Sequence, residues 1–118
     1  MEENNKLIAK FMGVVFHDDE NQYYDNNGLY IGEDLQYHSS WDWLMPVVDK
    51  INTMDDFNYS VSINYHYTSI TDNNTLYDIV DESADGNTID CRFRQGCYKA
   101  VVKFIEWYNE SKLNEDGK

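Results

Sequence analysis

An alternating run of side chains constrains the fold of this chain more than any other feature. From Phe57 to Thr68, apolar or aromatic residues at the odd positions alternate with polar, uncharged residues at the even positions. A period of two places the two sets on opposite sides of a β-strand. The run therefore predicts one long strand in a sheet that has one buried face and one face open to water.

Short turn motifs indicate that the neighbouring strands pair as antiparallel hairpins. The segment Asp25–Gly28 ends in Asn-Gly and lies between Tyr23–Tyr24 and Leu29–Ile31. Asn-Gly between aromatic and branched residues favours a tight hairpin. A second turn is predicted at Asp72–Asn74, after which Thr75–Val80 returns as a strand. Because connections this short cannot make a parallel crossover, we expect the sheet to be antiparallel.

Three segments have the apolar spacing of amphipathic helices. The first covers residues 3–12 and is followed by Gly13, a residue typical of helix ends. The second follows Ser40, which is a favourable N-cap, and the third covers roughly Arg94–Lys112. Pro46 lies beyond the first turn of the second helix, where its missing N–H costs a hydrogen bond. We therefore expect a bend there or a tightened, 3₁₀-like first turn.

Together these elements predict an α+β fold, an α/β sandwich with an antiparallel sheet of hairpins and about three helices packed on it. The length of 118 residues suits a single domain, residues 1–118, and 42% apolar residues is too many for a disordered chain. The predicted core joins the apolar sides of the last two helices to the odd-numbered side of the long strand. Its members are Leu44, Val48, Ile51, Ala100, Val101 and Phe104 with Tyr59, Val61 and Ile63.

Two regions of the sequence are harder to assign to a helix, a strand or a loop. Asp81–Asn87 is polar and contains Asp-Gly, so we predict a loop. Residues 88–93 fit both a strand and a helix, and we favour an extended approach to the last helix.

No apolar run approaches the ~18 residues that span a membrane. The first residues lack the basic and then apolar pattern of a secretory signal, so we expect a cytoplasmic protein.

Three segments, Asn4–Gly13, Tyr37–Ile51 and Tyr98–Asn109, resemble the phage ABA sandwich domain, a family of small uncharacterised phage and bacterial proteins. They cover about a third of the chain, and the run Ser40–Val48 (SWDWLMPVV) is the most specific part. The resemblance implies a compact α/β fold and a protein of phage or mobile-element type, and the family name suggests helices on both faces of the sheet. It implies no activity and no site residues. The polar side of Asn58–Thr68 favours instead a sheet that is partly open to water.

The acidic residues are concentrated in the middle of the chain. Acids outnumber bases 22 to 9, a net charge of −13, and residues 11–90 hold sixteen acids against the single base Lys50. This charge argues against direct binding to nucleic acids or to anionic membranes, because both require basic surface. An array of carboxylates can instead compete for a basic groove, since it imitates the phosphates of DNA, which occur about every 1.7 Å.

We therefore predict a small acidic interaction protein whose partner is a protein with a basic surface. An inhibitor of a host nucleic-acid-binding protein is the most specific form of this hypothesis. Because turns project side chains into solvent, the predicted partner-binding residues are three acidic clusters: Asp18, Asp19, Glu20, Asp55, Asp56, Asp81, Glu82 and Asp85. The alternative is a structural or assembly protein that forms homo-oligomers. The 15% aromatic content and Trp43, on the side of its helix away from Trp41, favour that alternative.

The sequence contains no recognisable arrangement for catalysis or tight metal binding. Asp81–Arg92 resembles a calcium loop, but Arg92 occupies the position of the bidentate Glu. His17–Glu20 lacks the further ligands of a metal site. Cys91 and Cys97 fit neither a zinc finger nor a disulfide framework and are predicted to be free thiols. We accordingly predict no catalytic residue, no metal and no cofactor, and a protein that is not an enzyme.

Overall fold

The computed structural model describes residues 2–25, 27–64, 66–83 and 89–116, with the side chains of 2, 89–92 and 112–116 excepted. Along these ranges the order is α1 (Glu2–Phe11), β1 (Val15–His17), β2 (Gln22–Tyr24), β3 (Tyr30–Gly32), α2 (Trp41–Phe57), β4 (Tyr59–Ile63), β5 (Tyr67–Asp72), β6 (Asp78–Ser83) and α3 (Ile89–Asp116). The strands form two antiparallel sheets, sheet A (β1-β2-β3) and sheet B (β4-β5-β6). The predicted α+β fold of hairpins with three helices is confirmed, although the strands are divided between two sheets.

The single long strand predicted for residues 57–68 is wrong, because the chain reverses inside it. β4 and β5 pair antiparallel, with Ile63 opposite Thr68. The side-chain oxygen of Asn64 accepts a hydrogen bond from the N–H of Tyr67 at 3.1 Å, and the N–H of Asn64 donates to the carbonyl of Tyr67 at 3.0 Å. Such Asn-stabilised turns need no Gly or Pro. The reversal also changes which positions are buried, so that Thr68 and Ile70 face the core while Tyr67 is 43% exposed.

The strand and helix around residues 78–93 also differ from the sequence prediction. The returning strand begins at Asp78 rather than at Thr75, and it continues through Ser83, so the predicted loop is wrong for 81–83. The polar residues there belong to an edge strand with one open side, which a composition argument cannot distinguish from a loop. The predicted extended segment is wrong from Ile89, where α3 begins. Residues 84–88 lie outside the described ranges.

The helix ends follow from local sequence. Gly13 has a φ of +78°, its N–H donates to the Lys10 carbonyl at 3.1 Å, and the next N–H donates to the Ala9 carbonyl at 2.9 Å. This is the Schellman arrangement that a glycine permits. Ser40 is the N-cap of α2, but its side chain makes no capping hydrogen bond; its carbonyl instead accepts from both Trp43 and Leu44, a tightened first turn. No helix in the described ranges has the length and apolar character needed to cross a bilayer.

The core lies between sheet B and the helices. α3 packs against all three strands of sheet B, and α1 and α2 pack on α3. The predicted core is confirmed: the six helix positions and Tyr59 are buried, and Val61 and Ile63 are partly buried against them. The opposite side of sheet B carries the exposed residues Ser60, Ser62 and Asp81 on its outer strands, while Ser69 in the central strand is buried. This face is therefore partly open to water, as the polar alternation predicted.

Candidate binding surface

The seven of the predicted partner-binding acidic residues that the structure describes do not form one cluster. Residues 18–20 make the β1–β2 turn and are exposed, as predicted. Asp81 and Glu82 lie in β6 instead of a turn. Asp81 pairs with Ser69 on the open side of sheet B, whereas Glu82 pairs with Thr68 on the side that faces the core. They therefore point to opposite faces of the sheet, and Asp85 lies outside the described residues.

Asp55 and Asp56 lie at the end of α2, where the backbone leaves the helical conformation. Their φ angles are +51° and +60°, in the left-handed region. Asp adopts this conformation more readily than most residues. Both side chains are exposed, and the Tyr108 hydroxyl donates to Asp55 Oδ1 at 3.5 Å. Backbone conformation alone therefore accounts for acidic residues at these two positions.

The β1–β2 turn borders a row of aromatic rings on sheet A. The register places Val15 opposite Tyr24, His17 opposite Gln22, and Tyr24 opposite Tyr30. These five residues share one side of the sheet, which we call the outer aromatic face. The His17 and Tyr24 rings lie 4.4 Å apart, and the Tyr24 and Tyr30 rings lie 5.8 Å apart. The three rings therefore cross all three strands in one line.

The outer aromatic face is open to solvent. Val15 is 51% and Tyr30 is 50% exposed. Scattered exposed apolar residues are ordinary, but a contiguous group is typical of an interaction surface. Phe16 and Tyr23, with rings 4.8 Å apart, lie on the other side of the same sheet.

Carboxylates stand at one end of this row. The Tyr24 hydroxyl donates a hydrogen bond to Glu20 Oε2. A ring nitrogen of His17 and one carboxylate oxygen each of Asp19 and Glu20 lie within 4.8 Å of one another. The hydrogen bond to Glu20, followed by burial and the negative charge of Glu20, raises the pKa of Tyr24. The phenol therefore stays a neutral donor that holds Glu20 over the end of its own ring.

A groove lies where the inner side of sheet A meets the beginning of α2. Its volume is about 470 Å³, and its lining consists of Met12, Val14, Ile31, Tyr37, Trp43 and Pro46 together with the carboxylates of Asp25 and Asp42. We call it the Trp43 groove. The Tyr37 and Trp43 rings meet edge to face at 5.2 Å. Trp43, on the side of its helix away from Trp41, thus packs against a second layer and is partly buried.

A buried polar network fixes the loop that leads from sheet A to α2. The Asn5 side chain is 5% exposed; its amide donates to the Leu35 carbonyl at 3.2 Å and contacts His38 Nδ1 at 2.8 Å. Its carbonyl oxygen accepts from the Tyr98 hydroxyl at 2.9 Å. These bonds connect α1, the loop and α3, so they position the wall of the Trp43 groove. Sequence reasoning missed this network because Asn5 and Tyr98 are 93 residues apart.

Searches with protein-family models, among curated proteins and among solved structures found no match to this chain. The resemblance to the phage ABA sandwich domain therefore stays a prediction.

Proposed function

We propose that this protein is a non-catalytic binding protein, and that the outer aromatic face with the β1–β2 turn receives a basic segment of a partner protein. One observation carries the proposal: three adjoining rings border a group of exposed carboxylates. A guanidinium or ammonium group is attracted to an aromatic face within about 6 Å. The carboxylates of Asp19 and Glu20 would then complete the contact as charge-assisted acceptors.

The local charge favours a basic protein over a nucleic acid. Aromatic rows on open sheets also stack nucleic-acid bases, but those surfaces carry Lys and Arg for the phosphates. The sequence has no Lys or Arg from residue 11 to residue 49. Lys50 points elsewhere, since its ammonium donates to the Phe11 carbonyl and lies 4.4 Å from the Phe11 ring centre. Lys6 and Lys10 line a groove on the other side of sheet A, with Phe16 and Tyr23, so phosphates brought to the outer aromatic face would meet carboxylates.

The partner class that suits this chemistry best is a nucleic-acid-binding protein. Such a protein presents Arg and Lys in a groove shaped for phosphate. A small acidic protein that occupies the phosphate-binding groove of such a protein would inhibit it. Because Asp81 and Glu82 face opposite ways, binding through one edge of the molecule is better supported than binding through all three predicted clusters.

Self-association is the alternative, and the same exposed apolar residues favour it. Val15, Leu29 and Tyr30 could pack against a second copy of the chain. The two functions respond differently to salt. Contacts between exposed charges weaken as salt screens them, whereas apolar self-association persists or strengthens.

A titration with an arginine-rich peptide tests the proposal. The fluorescence anisotropy of the labelled peptide is followed as the protein is added, in low and in physiological salt. Duplex DNA is then added as a competing ligand. Tyr30→Ala should weaken peptide binding about two- to fivefold, the effect of one exposed cation–π contact. Tyr77→Ala is the control, because Tyr77 is 78% exposed and lies outside sheet A.

Three results would contradict the proposal. They are absence of peptide binding in low salt, tighter binding of DNA than of the peptide, and an equal loss in the two tyrosine variants. A salt-resistant dimer in sedimentation would favour the homo-oligomer instead.

A further inference from the structure

We infer that the Trp43 groove binds a large apolar side chain of the same basic partner, next to a cation that meets Asp25 and Asp42. This inference rests on the proposed function and adds a second point of contact to it. The groove volume of about 470 Å³ falls within the ~300–1,000 Å³ typical of small-ligand pockets. The groove is larger than any single side chain, so a segment of a protein can place a leucine or an aromatic side chain in it together with part of a neighbouring residue.

The floor of the groove is already formed. Tyr37 is 4% exposed and holds Trp43 in an edge-to-face contact, and the backbone of Gly32 passes close by. A side chain at Gly32 would begin 4.0 Å from Trp43 Cζ2, and the φ of +133° at this residue favours glycine. Burial raises the pKa of Tyr37 to about 12, so its phenol is neutral at physiological pH. A preformed apolar floor with a partly exposed Trp is typical of binding hot spots.

The charge of the groove identifies its occupant. Its ionisable carboxylates are Asp25 and Asp42, and no Lys or Arg of the described chain lines it. Asp25 is held in place because its Oδ1 accepts from the N–H groups of Asn27 and Leu29, at 2.9 and 2.8 Å. Asp42 is exposed in the first turn of α2. A purely apolar occupant would strip water from these carboxylates without replacing it, which is unfavourable. An occupant with an adjacent Arg or Lys compensates for that loss.

The Trp43 groove and the outer aromatic face can serve one continuous segment. Asp25 lines the groove and directly follows Tyr24, the central ring of the outer aromatic face, so the groove and the rings lie on opposite sides of sheet A and border the same turn. The two surfaces therefore meet at the β2–β3 hairpin. A basic segment on the rings reaches the groove by passing over this hairpin.

Two peptides and the indole N–H signals of the three Trp residues test the inference. The peptides are arginine-rich and identical except for one central residue, Leu in one and Ala in the other. The Leu peptide should bind roughly tenfold or more tightly, the effect of burying that side chain. It should also shift the indole signal of Trp43 in ¹H–¹⁵N spectra and leave that of Trp107 unchanged. Asp42→Asn should weaken the Leu peptide more than Asp49→Asn, a neutralisation at another exposed position of α2.

The possible failures separate this inference from the proposed function. Equal affinity of the two peptides, with the Trp43 signal unmoved, would overturn the groove assignment and leave the proposed function intact. Binding by neither peptide would overturn both. A shift of the Trp43 signal with rising protein concentration, in the absence of peptide, would assign the groove to a second copy of the chain and overturn the inference.

Discussion

Replacing Phe104 by Ala should remove a large part of the stability of this fold. Phe104 is fully buried, and its ring lies 4.9 Å from that of Tyr59, 5.8 Å from that of Trp107 and 5.9 Å from that of Tyr108. Truncating a buried Phe costs about 3–5 kcal/mol. Because three aromatic pairs are lost together, we expect about 4–5 kcal/mol. A protein of this size is stable by only about 5–15 kcal/mol in total.

Urea denaturation followed by circular dichroism measures this loss. The Phe104→Ala midpoint should fall while the dependence on urea stays constant, which shows that stability alone has changed. Tyr77→Ala is the matched control, since a ring that is 78% exposed should contribute no more than about 0.5 kcal/mol. A loss below about 1 kcal/mol for Phe104→Ala would mean that the ring does not occupy the centre of the core.

Three further outcomes are expected. Leu76→Gly should stabilise the protein by about 0.5–1 kcal/mol in the same urea assay, because Leu76 has a φ of +65° and is 78% exposed; a loss of stability would contradict the left-handed conformation. Burial raises the pKa of the Cys97 thiol from 9.0 to about 12. The buried neutral thiol therefore contributes its full stabilisation of the fold below pH 9, and this stabilisation is lost as the pH rises towards 12. The free energy of unfolding should therefore fall over that range, and less steeply for Cys97→Ala than for the native protein. Calorimetry with calcium, magnesium and zinc should detect no stoichiometric site of micromolar affinity at the exposed β1–β2 turn. Detection of such a site would contradict the prediction that the protein binds no metal tightly.

Local sequence determines the elements whose ends depend on neighbouring residues. The hairpin around Asn27-Gly28 and the end of α1 at Gly13 were predictable because each depends on a few adjacent residues. The turn at Asn64 was not, since the Asn64 side chain that stabilises it lies inside an alternation that continues on both sides. The period of two then assigned Tyr67 to the wrong face, because a hairpin changes which positions are buried.

The candidate site could be predicted only in part. The acidic turn at residues 18–20 is visible in the sequence, and it is exposed as expected. The aromatic row needs the strand register, because Tyr24 and Tyr30 become neighbours only across the hairpin and its irregular pairing. The Trp43 groove needs tertiary structure, since it joins the end of α1, sheet A and the start of α2. Asp81 and Glu82, adjacent in sequence, are separated by the alternation of β6.

The central claim is that carboxylates at the β1–β2 turn attract a basic segment to the outer aromatic face. The most direct measurement is the association rate of an arginine-rich peptide as a function of ionic strength. It compares the native protein with the triple variant Asp18→Asn, Asp19→Asn, Glu20→Gln. A triple variant with the same change in net charge at distant exposed positions, Asp49→Asn, Glu106→Gln, Glu110→Gln, is the control. The account predicts a slower association and a shallower salt dependence for the turn variant alone. Equal association rates for the two variants would contradict it, because net charge and not this turn would then attract the partner.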